Sequence, residues 1–271
     1  MLQCNLGVIG AGNMANAIIE GILKKEVLSA SDIHVYDIDS SKLSAIANKT
    51  GIIPAKNNID LVKNCKVFII AVKPHIYDKV LEEIVDYISH DHLLISIAAG
   101  ISTDYIKAKT SNRCKVVRVM PNTPVLVGEG MSVVCINHEI DNNQRGIVNL
   151  LFSSLGRVEE VEESLINAVT AISGSSPAYI YVLIEALADG GVLMGLSREQ
   201  SYIMAAQSVL GAAKMVLELN THPGILKDMV CSPGGTTIEA IYTLEKNNFR
   251  GSIIDAVRNC ALKAEQMEKC K

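Results

Sequence analysis

The chain has 271 residues, 49% of them hydrophobic, which exceeds the needs of one ordinary domain and predicts two. A formal net charge of −4 gives no general attraction to nucleic acid, and basic pairs such as Lys24-Lys25 read as solvated faces. Seven cysteines (Cys4, Cys65, Cys114, Cys135, Cys231, Cys260 and Cys270) lack the paired spacing of a metal site, and their odd number fits reduced thiols in a cytoplasmic setting.

The start, from Met1 to Gly10, reads as strand without a basic region and cleavage site, so no secretory signal is expected. Leu6 to Gly10 is a short apolar run of buried-strand type, and Gly10-Ala11-Gly12-Asn13-Met14-Ala15 leads from it into an amphipathic stretch ending at Lys25. Strand, GxGxxA and helix in this order form a dinucleotide-binding pattern. The first glycine permits the tight turn, the second lets a pyrophosphate approach the backbone, and Ala15 lets helix pack on strand. The next strand, Ile33 to Asp37, arrives at the distance of a strand-helix-strand unit. Asp37 at its end can accept hydrogen bonds from an adenosine ribose, which favours NAD, whereas Ser40, Ser41 and Lys42 just beyond could hold a 2′-phosphate, so NADP stays open. Ser40 also suits the N-cap of a helix beginning near Ser41.

Alternation continues with strand Cys65 to Val72, helix Ile76 to Ile88, strand Leu93 to Ile97, helix Ser102 to Lys109 and strand Lys115 to Met120. Such repetition predicts a doubly wound parallel sheet, whose ligands lie beyond the carboxyl ends of the strands. Those ends are Ala71-Val72-Lys73-Pro74-His75, Ser96-Ile97-Ala98-Ala99-Gly100 and Met120-Pro121-Asn122-Thr123-Pro124, each small, proline-bearing or polar, with Lys73 placed to meet a cofactor. His90 and His92 read as loop histidines, and no metal site is expected. A strand from Met131 to Ile136, a helix from Asp141 to Leu155 and an edge segment from Arg157 to Glu160 complete this part.

After the acidic run ending at Glu163, helical periodicity takes over: Ser176 to Met194, Arg198 to Leu219, Pro223 to Val230, Gly235 to Lys246 and Phe249 to Lys269. Ala178 to Leu196 is the most apolar segment, yet Glu185, Asp189 and two glycines make it a buried helix rather than a membrane span. Helices apolar on more than one face call for a partner, so a homodimer through this region is expected. The fold class is therefore α/β, with an N-terminal Rossmann-type doubly wound parallel sheet over residues 1–162 and an all-α dimerisation domain over 163–271.

Within the helical part, Cys231-Ser232-Pro233-Gly234-Gly235-Thr236-Thr237 breaks the helical pattern and opens a new helix. The unpaired N–H groups and dipole of that helix start suit a small carboxylate, and threonine hydroxyls stand beside it; a Gly-rich connector with a threonine cap is the bland reading.

Asp228 to Ala240, with Ser173-Gly174-Ser175-Ser176-Pro177-Ala178-Tyr179, Ala71 to Pro74, Met120 to Pro124 and the amino-terminal glycine loop, resembles pyrroline-5-carboxylate reductase over almost the whole chain. The SPGGTT segment is the most specific part. The resemblance implies reduction of 1-pyrroline-5-carboxylate to L-proline by NADPH or NADH in a cytoplasmic enzyme, a homodimer that assembles further into a pentamer of dimers, without membrane or nucleic-acid partners. It implies cofactor contacts by Gly10, Ala11, Gly12, Asn13, Met14, Asp37, Asn58, Ala71, Val72, Lys73, Pro74, Ala98, Ala99 and Asn122. Substrate contacts fall to Ser175, Val230, Ser232, Gly234, Gly235, Thr236 and Thr237, with backbone N–H groups of Gly234, Gly235 and Thr236 on the carboxylate and the Thr237 hydroxyl on the ring nitrogen. Tyr179 as proton donor and Cys231 as nucleophile are weaker readings, since a core tyrosine and an inert thiol explain them. Ser176 departs from the family's usual glycine, and at a helix start before Pro177 serine is acceptable. A β-hydroxyacid dehydrogenase is the competing enzyme, but no lysine occurs between Arg157 and Lys214 to serve its chemistry. A non-catalytic dinucleotide-binding regulator is the competing non-enzyme.

Overall fold

The computed structural model describes residues 4–269, so Met1 and Cys270 lie outside the described residues. Two compact units are present, one running to Ser175 and resuming at Cys260, the other spanning Ser176–Asn259.

In the first unit, strands β1 (Leu6–Ile9), β2 (Ile33–Tyr36), β3 (Ile53–Pro54), β4 (Val67–Ile70), β5 (Leu93–Ser96), β6 (Lys115–Pro121), β7 (Gly130–Cys135) and β8 (Gly156–Glu160) form one sheet. Their order is β3-β2-β1-β4-β5-β6-β7-β8. Helices α1 (Asn13–Lys24), α2 (Ser40–Thr50), α3 (Asn58–Asn64), α4 (Tyr77–Ile84), α5 (Thr103–Lys109) and α6 (Asn142–Ser153) cross between strands. The chain steps outward from β1 in one direction and from β4 in the other, so the two neighbours β1 and β4 mark the switch point where such sheets bind ligands.

The strands are apolar on both faces. Val8, Ile69, Ile95 and Val117 point into one core with α1 and α6, while Ile9, Phe68, Ile70, Leu94 and Val116 point into the other with α3 and α4. Period-two alternation between two buried faces is what produces the nearly continuous hydrophobic runs of the sequence. β6 and β7 pair antiparallel, against the all-parallel expectation. The link between them is one short turn, Thr123–Val127, and a parallel return needs a longer crossover. β3 and α3 leave little sequence signal, the first being two residues ending in Pro54 and the second a single short helix started by the Asn57 side chain. His92 lies in the loop just before β5, as read from the sequence, and is buried there, with Nε2 at 3.0 Å from the Val62 carbonyl and Nδ1 at 3.1 Å from Ser89 Oγ.

A buried ion network anchors the last turns of the final helix in this unit. Arg118 on β6 is 1% exposed and reaches Glu163 at 2.9 Å and Glu268 at 2.8 Å. Glu163 also accepts the Thr103 N–H at 2.9 Å and the Thr103 hydroxyl, and Asn167 donates to Glu268 at 3.0 Å. A buried guanidinium is tolerable only with such partners.

The chain continues through α7 (Ile166–Val169), α8 (Ser176–Leu193), α9 (Arg198–Leu219), α10 (Pro223–Met229), α11 (Thr236–Lys246) and α12 (Phe249–Lys269). α8 and α9 form a helical hairpin in the second unit. At their crossing a Cβ on Gly191 would lie 2.7 Å from Ser201 Oγ, so the missing side chain sets the close approach. The expected burial of α8 is not met within one chain. Among the described residues of this unit only Ala188, Ser201 and Ala205 are buried, while Val182, Leu193, Met194 and Ile203 are exposed by 63% or more. By length and composition alone, Glu163–Leu193 and Arg198–Leu219 could each cross a bilayer.

Burial pushes the Glu268 carboxyl up, but hydrogen bonds from Asn167 and Arg118 outweigh it and leave the group below the usual carboxylate range. A depressed folded pKa stabilises fully above the unfolded value of about 4.3 and is lost as pH falls through the folded one. Glu268→Gln should therefore cost about 1–2 kcal/mol at pH 7 in urea unfolding, with the deficit shrinking below about pH 4.

Candidate active site

At the carboxyl end of β1, Gly10 adopts φ +108 and donates its N–H to the Tyr36 carbonyl at 2.7 Å. A Cβ there would lie 2.9 Å from the Ala71 carbonyl oxygen, so both conformation and space require glycine. Gly12 caps α1 without any side-chain hydrogen bond, and a Cβ on it would meet nothing. Helical bonding starts with the Asn16 N–H on the Gly12 carbonyl. The N–H groups of Asn13, Met14 and Ala15 precede that bond and form an open anion site at a helix start. The loop thus fits a pyrophosphate by its own geometry.

Asp37 holds the loop in place. Its Oδ2 accepts the Ala11 N–H at 2.6 Å and its Oδ1 accepts the Asp39 N–H at 2.8 Å. Each oxygen keeps a lone pair for a ligand hydroxyl. Asp39, rather than Ser40, caps α2 through the Ser41 and Lys42 N–H groups. Helix-start residues of the D-S-S-K kind were open to that reading, because aspartate is among the best N-caps.

The other strand ends differ in how much they offer. Lys73 is exposed and makes no ion pair among the described residues, and Pro74 opens the turn Pro74–Ile76. Ala71 and Val72 are half-buried, Ala98 is buried and Ala99 exposed. Asn122 is committed internally, donating to the Ser173 carbonyl at 3.1 Å and accepting the Met131 N–H at 2.9 Å. Asn58 is buried, with its amide on Glu83 at 2.7 Å and its oxygen sealed from solvent.

Ser175 closes a π-turn, Thr170–Gly174, donating its N–H to the Thr170 carbonyl at 2.8 Å, and its hydroxyl lies 3.3 Å from Cys260 Sγ. Irregular helical turns of this kind often mark functional positions. Ser176 follows as the first residue of α8 and has no positive φ, so the serine costs no backbone strain. Tyr179 lies half-buried in the first turn of α8.

In the second unit, Ser232 to Gly235 forms a tight turn: Gly235 N–H donates to the Ser232 carbonyl at 3.0 Å, with Pro233 second and Gly234 third at φ +69. Proline followed by a positive-φ glycine is the type II pattern. This corrects the expected donor set, because the Gly235 N–H is spent inside the turn. Gly235 then caps α11 with no side-chain bond, and the Glu239 N–H to Gly235 is the first helical bond. Thr236, Thr237 and Ile238 thereby present the open N–H groups, and the half-buried Thr237 adds a hydroxyl. Val230 and Ser232 are exposed beside this turn. Ile238 was missed in the sequence because its contribution is backbone only.

Residues 163–267 match the family model for pyrroline-5-carboxylate reductase dimerisation, and residues 5–100 match that for NADP oxidoreductase, coenzyme F420-dependent. The chain is 42% identical to the pyrroline-5-carboxylate reductase of Escherichia coli K12, over 99% of this chain and 100% of that one. The chain belongs to the pyrroline-5-carboxylate reductase family. Solved structures agree: the pyrroline-5-carboxylate reductase of Coxiella burnetii superimposes with a TM-score of 0.93 at 34% identity, covering 98% of this chain and 99% of that one. The Plasmodium falciparum enzyme, solved with NADP bound, gives 0.89 at 35% identity over 99% of both chains. As a pyrroline-5-carboxylate reductase, the protein is an NAD(P)-dependent oxidoreductase of the last step of proline synthesis, which sets aside the dehydrogenase and regulator readings. The helices left uncovered in the second unit fall within the dimerisation match of this reductase.

Gly10→Ala in the reductase forces a Cβ against Ala71 and an unfavourable φ. NAD(P)H affinity, followed by nicotinamide fluorescence, should fall by about tenfold or more.

Proposed function

We propose that the turn from Ser232 to Thr237 is the substrate site of the reductase and that it recognises 1-pyrroline-5-carboxylate through its carboxylate. The observation carrying this reading is the glycine-capped, donor-open start of α11. The N–H groups of Thr236, Thr237 and Ile238 bind the carboxylate, and the helix dipole adds to their charge. The Thr237 hydroxyl hydrogen-bonds the ring nitrogen and so fixes the C=N carbon in place. Positioning is the main demand, because a protonated imine is already electrophilic. When bound, the reduced nicotinamide supplies the hydride that turns the imine into the amine.

In the first unit, Gly10 to Met14 binds the pyrophosphate, Asp37 the adenosine ribose, and Lys73 adds positive charge beside the phosphates. Ala71, Val72, Pro74, Ala98 and Ala99 supply small walls, and Asn122, held by Ser173 and Met131, lies at the end of β6. Ser175 orders the π-turn. The covalent role for Cys231 is dropped, as imine reduction needs no nucleophile.

The assembly is a homodimer through the helical unit, extended to a pentamer of dimers, working in the cytoplasm without membrane or nucleic-acid partners. The exposed apolar residues of α8 and α9 support a second copy of the chain as their cover, since a patch of that size on a lone monomer is unusual. Sedimentation should show no monomer at micromolar concentration and a main species of ten chains; a species that stops at two overturns the larger assembly.

Oxidation of NADPH or NADH on addition of pyrroline-5-carboxylate tests the activity, and no turnover with either rejects it. Thr237→Ala should lower kcat/KM by about tenfold to a thousandfold. Unchanged kinetics in a folded variant would remove Thr237 from the mechanism.

A further inference from the structure

The loop between β2 and α2 carries two carboxylates, Asp37 and Asp39, separated by an Ile38 that is 83% exposed. Asp39 Oδ1 accepts the N–H of Ser41 at 3.0 Å and of Lys42 at 3.3 Å, together with the Ser41 hydroxyl at 2.5 Å. Its Oδ2 lies 3.3 Å from Lys42 Nζ. The hydroxyl and the cation best suited to hold a 2′-phosphate are therefore engaged by a carboxylate of the protein. So is the start of α2, where an external anion would otherwise bind. Hydrogen bonds from Ser41 and then Lys42 hold the Asp39 carboxyl down at about 2, so its charge persists at every working pH.

We infer that this loop makes the enzyme prefer NADH over NADPH, with Asp37 receiving the ribose 2′-hydroxyl and Asp39 opposing a 2′-phosphate. The inference rests on the reductase reading of the site. A ribose hydroxyl is a donor and finds the free lone pairs of Asp37. A 2′-phosphate has acceptor oxygens and carries roughly −1.5 to −2 charges at neutral pH, which would face two carboxylates offset by the one lysine. Ser40 is exposed at the first turn of α2, and one neutral hydroxyl does not offset two like charges.

The test is calorimetric titration of the intact enzyme with NADH and with NADPH, alongside kcat/KM for each. NADH should bind about tenfold or more tightly than NADPH. Asp39→Asn keeps an oxygen to cap α2 while removing the charge, and should shift the NADPH-to-NADH ratio toward NADPH by about tenfold. Asp39→Ser, which also frees Ser41 and Lys42, should shift it further. Equal affinities in the unaltered enzyme, or a preference for NADPH, overturn the inference while turnover with either cofactor leaves the reductase reading intact. Preferential NADH binding with no turnover supports the inference and rejects the reductase reading instead.

Discussion

A helix starts with backbone N–H groups that it cannot satisfy, and at its two glycine turns this chain leaves them open to an anion. Asp39, Asn57, Ser102, Asp141, Ser197 and His222 turn their side chains onto the starts of α2, α3, α5, α6, α9 and α10. α1 and α11 are preceded by Gly12 and Gly235, which have no side chain to give. Each of these open ends follows a glycine with positive φ, Gly10 in one case and Gly234 in the other. The backbone bends sharply and then leaves its donors bare. An N-cap is worth roughly 1 kcal/mol, so leaving two long helices uncapped is a stability cost that a bound anion removes.

Most of this was legible in the sequence because the features are local. Apolar runs at period two gave the strands, and Gly10, Gly12, Pro233 and Gly234 announced their turns through backbone constraints that only those residues relieve. What stayed hidden depended on contacts between distant residues. Asp37 looked like a ribose ligand, and the structure adds that it also ties down Ala11, 26 positions away. Asn122 and Asn58 resemble cofactor ligands by position, and the structure adds contacts of Asn122 with Ser173 and Met131 and of the Asn58 amide nitrogen with Glu83. Nothing in the spacing could tell that Arg118, in the middle of an apolar strand, would meet Glu268 near the far end of the chain. The antiparallel β7 was hidden for another reason, since its residues alternate like those of any buried strand and only the length of the preceding turn sets its direction.

The helical unit shows how a sequence can encode a core that its own chain does not close. α8 has a mean composition fit for burial, and its apolar residues surround the helix rather than forming one stripe. In a lone monomer such a helix would expose Tyr181, Val182 and Leu193 to water. At about 25 cal/mol per Å² the apolar area of several such side chains favours association by many kcal/mol before ordering costs are counted. The same composition satisfies a membrane-span criterion, which cannot by itself distinguish lipid from a second protein surface. The match of residues 163–267 to a dimerisation family makes that distinction, because it names protein as the cover.

The acidic loop after β2 extends the logic of the helix starts. Where α1 leaves its donors open, α2 has its own carboxylate in place, so two helices of one dinucleotide domain meet anions in opposite ways. An open end attracts the pyrophosphate common to both nicotinamide cofactors and cannot distinguish them. A filled end discriminates, because it adds negative charge near where only one of them carries an extra phosphate. Affinity and selectivity are thereby assigned to different helices of the same sheet. A change at Asp39 can alter one without disturbing Gly10 or Gly12, on which the other depends.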